Sequence, residues 1–452
     1  MTDAVANPYV QGLLAPVDAE LTAFDLEVTG TLPPELDGRY VRNGPNPIDP
    51  VDPATHHWFI GNGMVHGVRL RDGRAEWYRN RWVRSTAVTT ALGEPLLPGD
   101  RAGGNESANT NVVDMGGRTY AIVEAGGRPV ELTDELESVC FSDLDGTLRH
   151  GFTAHPKRDP RTGELHAVNY FWARPEVLDY TVVGPDGRVS HQVDVPVPGN
   201  PMTHDCSITE TTLALYDMPV TFDLAQAMEG SMFPYAWDPA YGARVGLMAL
   251  HGDGTDVQWF DVGLCYVFHP VNAWDEPDGR VVIDVVRHPR MFDQDRRGPN
   301  DGRPALWRWT FDRAAGTVRE EQLDDRPIEL PRVDERLVGR RHRYSWAMAL
   351  PDQDDVSFEG AGMVRYDAAT GEALVIDHGP GRSGAEPVFV PRSADAAEDD
   401  GWYLTYVYDA SSGRSELVVL DAAAPAEEPV ARVHLPGRVP MGFHGNWIAA
   451  TS

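Results

Sequence analysis

Cysteine is nearly absent: 452 residues carry three, Cys140, Cys206 and Cys265. So few cannot staple a chain of this length, and a reducing compartment is expected. Basic charge is short as well. Lys+Arg number 39 against Asp+Glu 69, and the formal net charge of −30 excludes a nucleic-acid partner, since phosphate binding needs a concentrated basic surface. No window approaches the roughly 18 consecutive apolar residues of a membrane-spanning helix. The opening Met1-Thr2-Asp3-Ala4-Val5-Ala6-Asn7 has no basic segment ahead of an apolar one, so the expected location is the cytoplasm. Nor is there a glycine-rich phosphate loop, a nucleophile elbow, a Cys-x-x-Cys pair or a His-Glu-x-x-His helix, which removes the commonest enzyme classes.

What is abundant is turn chemistry, with Gly 44 and Pro 36. After a mixed first twenty residues, expected to lie as an arm across the fold, the chain repeats one theme: an alternating strand, a turn holding Asp-Gly or Gly-Gly, and a second strand. Val65–Leu70, Asp72-Gly73 and Ala75–Arg79 form one copy; others surround Gly116-Gly117, Asp186-Gly187, Asp278-Gly279, Thr370-Gly371 and Ser412-Gly413. Many small antiparallel sheets must hide their edges, and radial repetition does so. The reading is an all-β propeller, one domain over 1–452, with two packed sandwiches as the alternative; the repeats are too dissimilar to count blades.

One stretch departs from the theme. Asp217 to Trp237 is apolar, rich in Met and aromatics, and partly helical in period. It is expected to be a loop-helix cap, and from Val220 to Trp237 either the mouth for an apolar ligand or a patch that touches lipid.

With the common motifs gone, the 15 histidines remain. Four share a setting, each at the end of an apolar segment beside a residue that bends or frees the backbone: His155 before Pro156, His204 in Met202-Thr203-His204-Asp205, His269 before Pro270, and His444 between Phe443 and Gly445. Their separations of 49, 65 and 175 residues exclude a local finger but allow a centre assembled from several blades. Neutral imidazoles suit Fe, Zn and Cu; the alternative is four structural histidines. His66 is ambiguous, and His56, His57, His150, His166, His191, His251, His288, His342, His378 and His434 read as surface or structural. A histidine centre needs carboxylates to hold the imidazole N–H groups. Glu124, Glu329 and Glu386 lie in apolar or proline-flanked settings that suit this, although such glutamates also occur at ordinary strand ends.

At these residues the sequence resembles the carotenoid cleavage oxygenase family, which also includes stilbene-cleaving dioxygenases and a retinoid isomerase. The likeness runs in order through RNGPNP (42–47), NTNVV (109–113), FTAHPK (152–157), MTHDCSIT (202–209), FHPVNAWDE (268–276), ELPRVD (329–334), EPVFVPR (386–392), EDDGWYL (398–404) and GFHGNW (442–447). It implies a seven-bladed propeller, with loops and short helices capping one Fe(2+) per chain held by His155, His204, His269 and His444. By the same match, Glu124, Glu329 and Glu386 hold the imidazoles. It further implies a dioxygenase that splits an apolar alkene with O2 into two carbonyl fragments.

Stilbene cleavers of the family hold the substrate phenol with a lysine directly before the first glutamate, assisted by a tyrosine; here Val123 stands in the lysine position, and Trp82 is a candidate for the tyrosine's place. An apolar residue there favours a carotenoid or apocarotenoid, with an aryl alkene as the alternative and a non-catalytic ligand-binding propeller behind both. Phe59, Phe152, Phe268, Trp274 and Phe443 are expected along the substrate tunnel. A carotenoid substrate makes peripheral membrane contact through 220–237 an expectation as well.

Overall fold

Asp72 and Gly73 both take positive φ, 50° and 70°, and through them the strand Gly63–Arg71 turns back into Arg74–Trp82. Gly116 and Gly117, at 60° and 75°, close the hairpin of Asn111–Met115 with Arg118–Ile122 in the same way. Two consecutive left-handed residues match the twist of paired strands, and repetition of such hairpins builds the molecule. The computed structural model describes residues 7–299, 301–351 and 358–450. Seven antiparallel sheets of at least four strands form the blades of a propeller.

Blades 2 to 6 are each continuous in sequence and start, respectively, with Asn111–Met115, Lys157–Arg158, Cys206–Ile208, Pro270–Asp275 and Ile328–Val333. Blades 1 and 7 are composite. In blade 1 the order from inside outward is Gly445–Ala449, Gly38–Pro45, Gly63–Arg71, Arg74–Trp82 and Leu21–Phe24. Blade 7 runs from Arg382–Gly384 and Val388–Pro391 through Gly401–Asp409, Arg414–Asp421 and Ala431–His434 to Val28–Gly30. A late strand thus completes the first blade, and an early strand completes the last. Gly445–Ala449 also touches the first strand of blade 2 and Val388–Pro391 of blade 7, so the ring closes there.

The middle strands do not alternate in burial: Val281–Arg287 and Leu165–Asn169 are buried on both faces, because blades pack face to face. Only outer strands such as Thr317–Asp324 and Glu372–Ile376 face water along most of their length. The N-terminal arm behaves as expected. Tyr9 is buried and stacks on Trp58 at 5.6 Å, and Leu13 O accepts from Met441 N at 3.0 Å.

Over one end of the ring lies a cap with two short helices, α1 (Thr86–Leu92) and α2 (Leu224–Met228). The Asp217–Trp237 stretch is less helical than its period suggests. Val220–Phe222 and Tyr235–Trp237 pair as a two-stranded ribbon, and the single turn of α2 is capped by the Asp223 side chain accepting from Gln226 N. No helix among the described residues is long and apolar enough to cross a membrane.

Candidate metal centre

Each of the four histidines selected from the sequence is released by a break in regular structure, and one ring nitrogen of each converges within 4.8 Å of the others. His155 and His204 precede the first strands of blades 3 and 4; His269 precedes Pro270, where a register shift bends the first strand of blade 5. His444 directly precedes the closing strand and is held by its N–H on Thr110 O (3.2 Å) and its carbonyl on Asn43 N (3.0 Å). Backbones approach so closely here that a Cβ on Gly44 would lie 2.6 Å from Gly442 Cα, which explains glycine at both positions.

The Nε2 atoms of His155 and His444 are 2.8 Å apart, and those of His204 and His269 are 3.3 Å apart. Nitrogens bonded to one ion at about 2.1 Å sit roughly 3.0 Å apart at right angles. On the far side of each ring an acceptor fixes the tautomer. His269 Nδ1 donates to Glu329 at 2.6 Å, His444 Nδ1 to Glu386 at 3.0 Å, and His155 Nδ1 to the His204 carbonyl at 2.9 Å. Glu124 Oε2 lies 2.8 Å from His204 Nδ1, off the line of a good hydrogen bond. With Nδ1 protonated, the Nε2 lone pairs face one another, an arrangement that a cation relieves. The donor set therefore fits a first-row transition ion. Three glutamates for four rings need no missing partner, since a backbone carbonyl serves the fourth.

Charge follows this plan. Burial lowers His155 far below an ordinary histidine, and the neighbouring histidines add to it. Burial also lowers His444 to about 4, against the pull of Glu386. At His269 burial is outweighed by Glu329, and its pKa is raised. Glu386 is held at about 2 and Glu329 lower still: burial opposes ionisation, but His444 and Arg332 overcome it at Glu386, and His269 and His288 at Glu329.

The carboxylates are aimed by unusual backbone. Ala125, after Glu124, and Leu330, after Glu329, take φ of 56° and 51°, and the strand holding Glu329 carries a bulge. Such conformations cost energy and gather at working sites. Sequence reasoning passed over His288, whose Nε2 grips the second oxygen of Glu329 at 2.5 Å. Its His-Pro pairing with Pro289, shared with His155 and His269, was the available signal. Arg332 was also passed over; it reaches Glu386 (3.4 Å), Gly445 O (3.1 Å) and Asn446 (3.1 Å).

Beneath the cap a cavity of about 1600 Å³ reaches His204, His269 and His444. Phe59, Val123, Phe268 and Phe443 line it as expected, joined by Phe233, Met348 and Phe358. Its mouth includes Leu224, Met228 and Met232, exposed by 64%, 81% and 75%, and the face of α1. A smaller cavity of about 480 Å³ approaches His155, His269 and His444 from the opposite side, between Lys157, Asp205 and Asn111.

Three expected tunnel residues lie elsewhere. Trp82 is buried with Met64 and Val88, its indole N–H given to Asn46 O at 2.8 Å. Phe152 is packed between blades with Tyr120, Leu144 and Leu165. Trp274 stacks its edge on His342 and lies under Arg308. Phe152 and Trp274 stand near a candidate ligand in sequence and Trp82 was placed by a resemblance, and neither kind of argument fixes the direction an aromatic side chain takes; these three point into packing.

Several other histidines are as buried as the four, which has a measurable consequence. Burial lowers His57 and His66 to about 3, and His166, His342 and His378 to about 4, like His444. Each is neutral in the fold and takes up a proton on unfolding below its ordinary value near 6.5. Stability is thus complete above about pH 6.5 and is lost as pH falls toward 4, by up to about 1.4 kcal/mol per group and pH unit. Thermal melting of the metal-free protein is expected to fall by on the order of 5 °C or more between pH 7 and pH 5. A flat profile over that range would contradict it.

Residues 14–449 match the family model described as retinal pigment epithelial membrane protein. The chain is 47% identical over 98% of its length, and 98% of the relative's, to a carotenoid cleavage oxygenase of Mycobacterium tuberculosis. Among solved structures it is similar to a Pseudomonas brassicacearum lignostilbene dioxygenase, with a TM-score of 0.88, 31% identity and 98% of both chains covered. It is also similar to a cobalt-substituted Synechocystis ACO, with a TM-score of 0.85, 28% identity, and 96% and 97% coverage.

Proposed function

The chain belongs to the carotenoid cleavage oxygenase family and is an enzyme of the dioxygenase type, and from that premise we propose that it cleaves a carbon–carbon double bond of a carotenoid or apocarotenoid with O2, giving two carbonyl products. The supporting observation is the meeting of four converging buried histidines with the foot of a large apolar cavity. His155, His204, His269 and His444 would hold one iron(II) per chain, with Glu124, Glu329 and Glu386 orienting three of the rings. Iron(II), when bound, supplies the chemistry that activates O2 beside the alkene.

The protein's own part is binding and positioning. No residue beyond the four ligands is assigned a catalytic role. Phe59, Phe268 and Phe443 flank the end of the cavity nearest the histidines and fix an extended alkene by contact, while the cap excludes water. At about 1600 Å³ the cavity exceeds the roughly 300–1,000 Å³ usual for drug-sized ligands and suits a long polyene. Val123 faces it, and among the described lining residues there is no Lys or Arg to meet a phenolate. Likeness to a lignostilbene dioxygenase keeps an aryl alkene as the second reading. The whole chain acts as one propeller unit, and exposed Leu224, Met228 and Met232 would let the mouth draw an apolar substrate from a membrane surface.

Anaerobically purified protein is expected to carry about one iron per chain. Offered a panel of carotenoids, apocarotenals and hydroxystilbenes with isotopically labelled O2, it should cleave a polyene and place label in both product carbonyls. Absence of label, or turnover of hydroxystilbenes alone, would overturn the reading. Cosedimentation with uncharged phosphatidylcholine vesicles, weakened in Met228→Ser with Met232→Ser, tests the membrane contact; equal sedimentation would reject it.

A further inference from the structure

Away from the centre, Glu164, His166 and His251 meet at the rims of two neighbouring blades. Glu164 ends the turn before the blade 3 strand Leu165–Asn169, which carries His166; His251 lies in the turn after the blade 4 strand Arg244–Ala249. A carboxylate oxygen and one nitrogen from each ring all lie within 4.8 Å. Glu164 Oε2 and His251 Nε2 are already 3.2 Å apart, near the roughly 3.4 Å that separates donors around a tetrahedral ion with bonds of about 2.1 Å.

Two features set this group apart from a surface ion pair. His166 is fully buried, its Nδ1 is 2.8 Å from the Tyr180 hydroxyl, and its Nε2 has no hydrogen-bond partner. A ring that gives its Nδ1 proton to the phenol oxygen keeps an unpaired lone pair on Nε2, and a buried polar atom left unpaired is costly. His251 is held in place rather than loose. Its φ is 59°, its N–H reaches Tyr180 Oη at 3.3 Å, and the next carbonyl, of Gly252, accepts from His191 at 2.9 Å. The comparable group His150, Asp179 and Asp194 differs: Arg174 already lies against both carboxylates, at 3.4 and 2.8 Å.

We propose that Glu164, His166 and His251 bind a divalent ion of the zinc class that clasps blade 3 to blade 4. One carboxylate and two neutral imidazoles leave a fourth, tetrahedral position for water on the exposed side of His251. The donor atoms lie up to 4.8 Å apart, and rotation of the half-exposed His251 ring on its fixed backbone closes the wider gaps. Burial lowers His166 to about 4, so its ring is neutral and ready to ligate near neutral pH.

Iron-loaded enzyme, dialysed against zinc chloride and desalted, is expected to carry one zinc per chain beyond an undiminished iron content. His251→Ala and, as a second variant, Glu164→Gln should each lose that zinc while keeping their iron. Zinc at about 100-fold over its Kd should raise the melting temperature of the iron-loaded wild type by about 3 °C and leave both variants unmoved. Zinc that displaces iron instead of adding to it, no added zinc, or variants that retain it would overturn the site and leave Glu164 and His251 a plain ion pair.

Discussion

His269→Ala is expected to leave the chain without iron and without measurable alkene cleavage. The ring is the one whose Nδ1 is tied most tightly, at 2.6 Å to Glu329, and whose Nε2 lies 3.3 Å from that of His204. Its loss removes a ligand and also strips a buried carboxylate of one of its two imidazoles. Leaving a buried charge short of its partner costs about 3–5 kcal/mol. His288→Ala is the informative contrast, because it frees the same carboxylate from the other side without touching the converging nitrogens. That variant should keep iron with affinity lowered about 10- to 100-fold. Iron counted per chain and product measured on both variants decide the matter: full iron and turnover in His269→Ala would reject the centre.

The second large effect is expected from removing residues 441–452. The deletion takes His444 and with it five strand pairs, from Arg42–Gly445 to Gly38–Ala449. Glu386 loses both His444 and the Gly445 N–H that reaches it at 2.6 Å, and Arg332 loses its hold on Gly445 and Asn446. Iron should be absent and the cooperative melting transition lost. His444→Ala separates the two roles, since it keeps the closing strand: a folded, iron-free protein is expected. Should the shortened chain bind iron and melt as the full one does, the closing strand would be dispensable.

Much of this centre was legible in the residues. His155 and His269 stand before proline and His444 before glycine, the places where a strand gives up its ladder and releases a side chain. Glu329 and Glu386 stood out by their proline-flanked, apolar settings, and both reach an imidazole. Blade number was not legible, because the hairpins share turn residues but not a repeat; it came from a resemblance, and the seven sheets bear it out. Trp82, Phe152 and Trp274 were misplaced for a different reason. Trp82 and Phe152 are packed among side chains distant in sequence, and Trp274 meets His342 and Arg308, so no local pattern shows which aromatic faces the cavity. His288 acts through Glu329, and that contact joins residues 41 positions apart, beyond any local pattern.

Ring closure also sets the order of events in time. Arg42 pairs with Gly445 across about four hundred residues, whereas every hairpin inside blades 2 to 6 is a local contact. Non-local pairing must meet the entropy of loop closure before it yields any contact, so it forms late and slowly. The blades are therefore expected to fold first and the ring to shut last. Because His444 is seated by that same closing strand, the fourth histidine of the cluster is expected to reach the axis only in this final step. Tight uptake of a metal by the four histidines would then follow folding instead of guiding it, and its rate would report the slowest step of the chain.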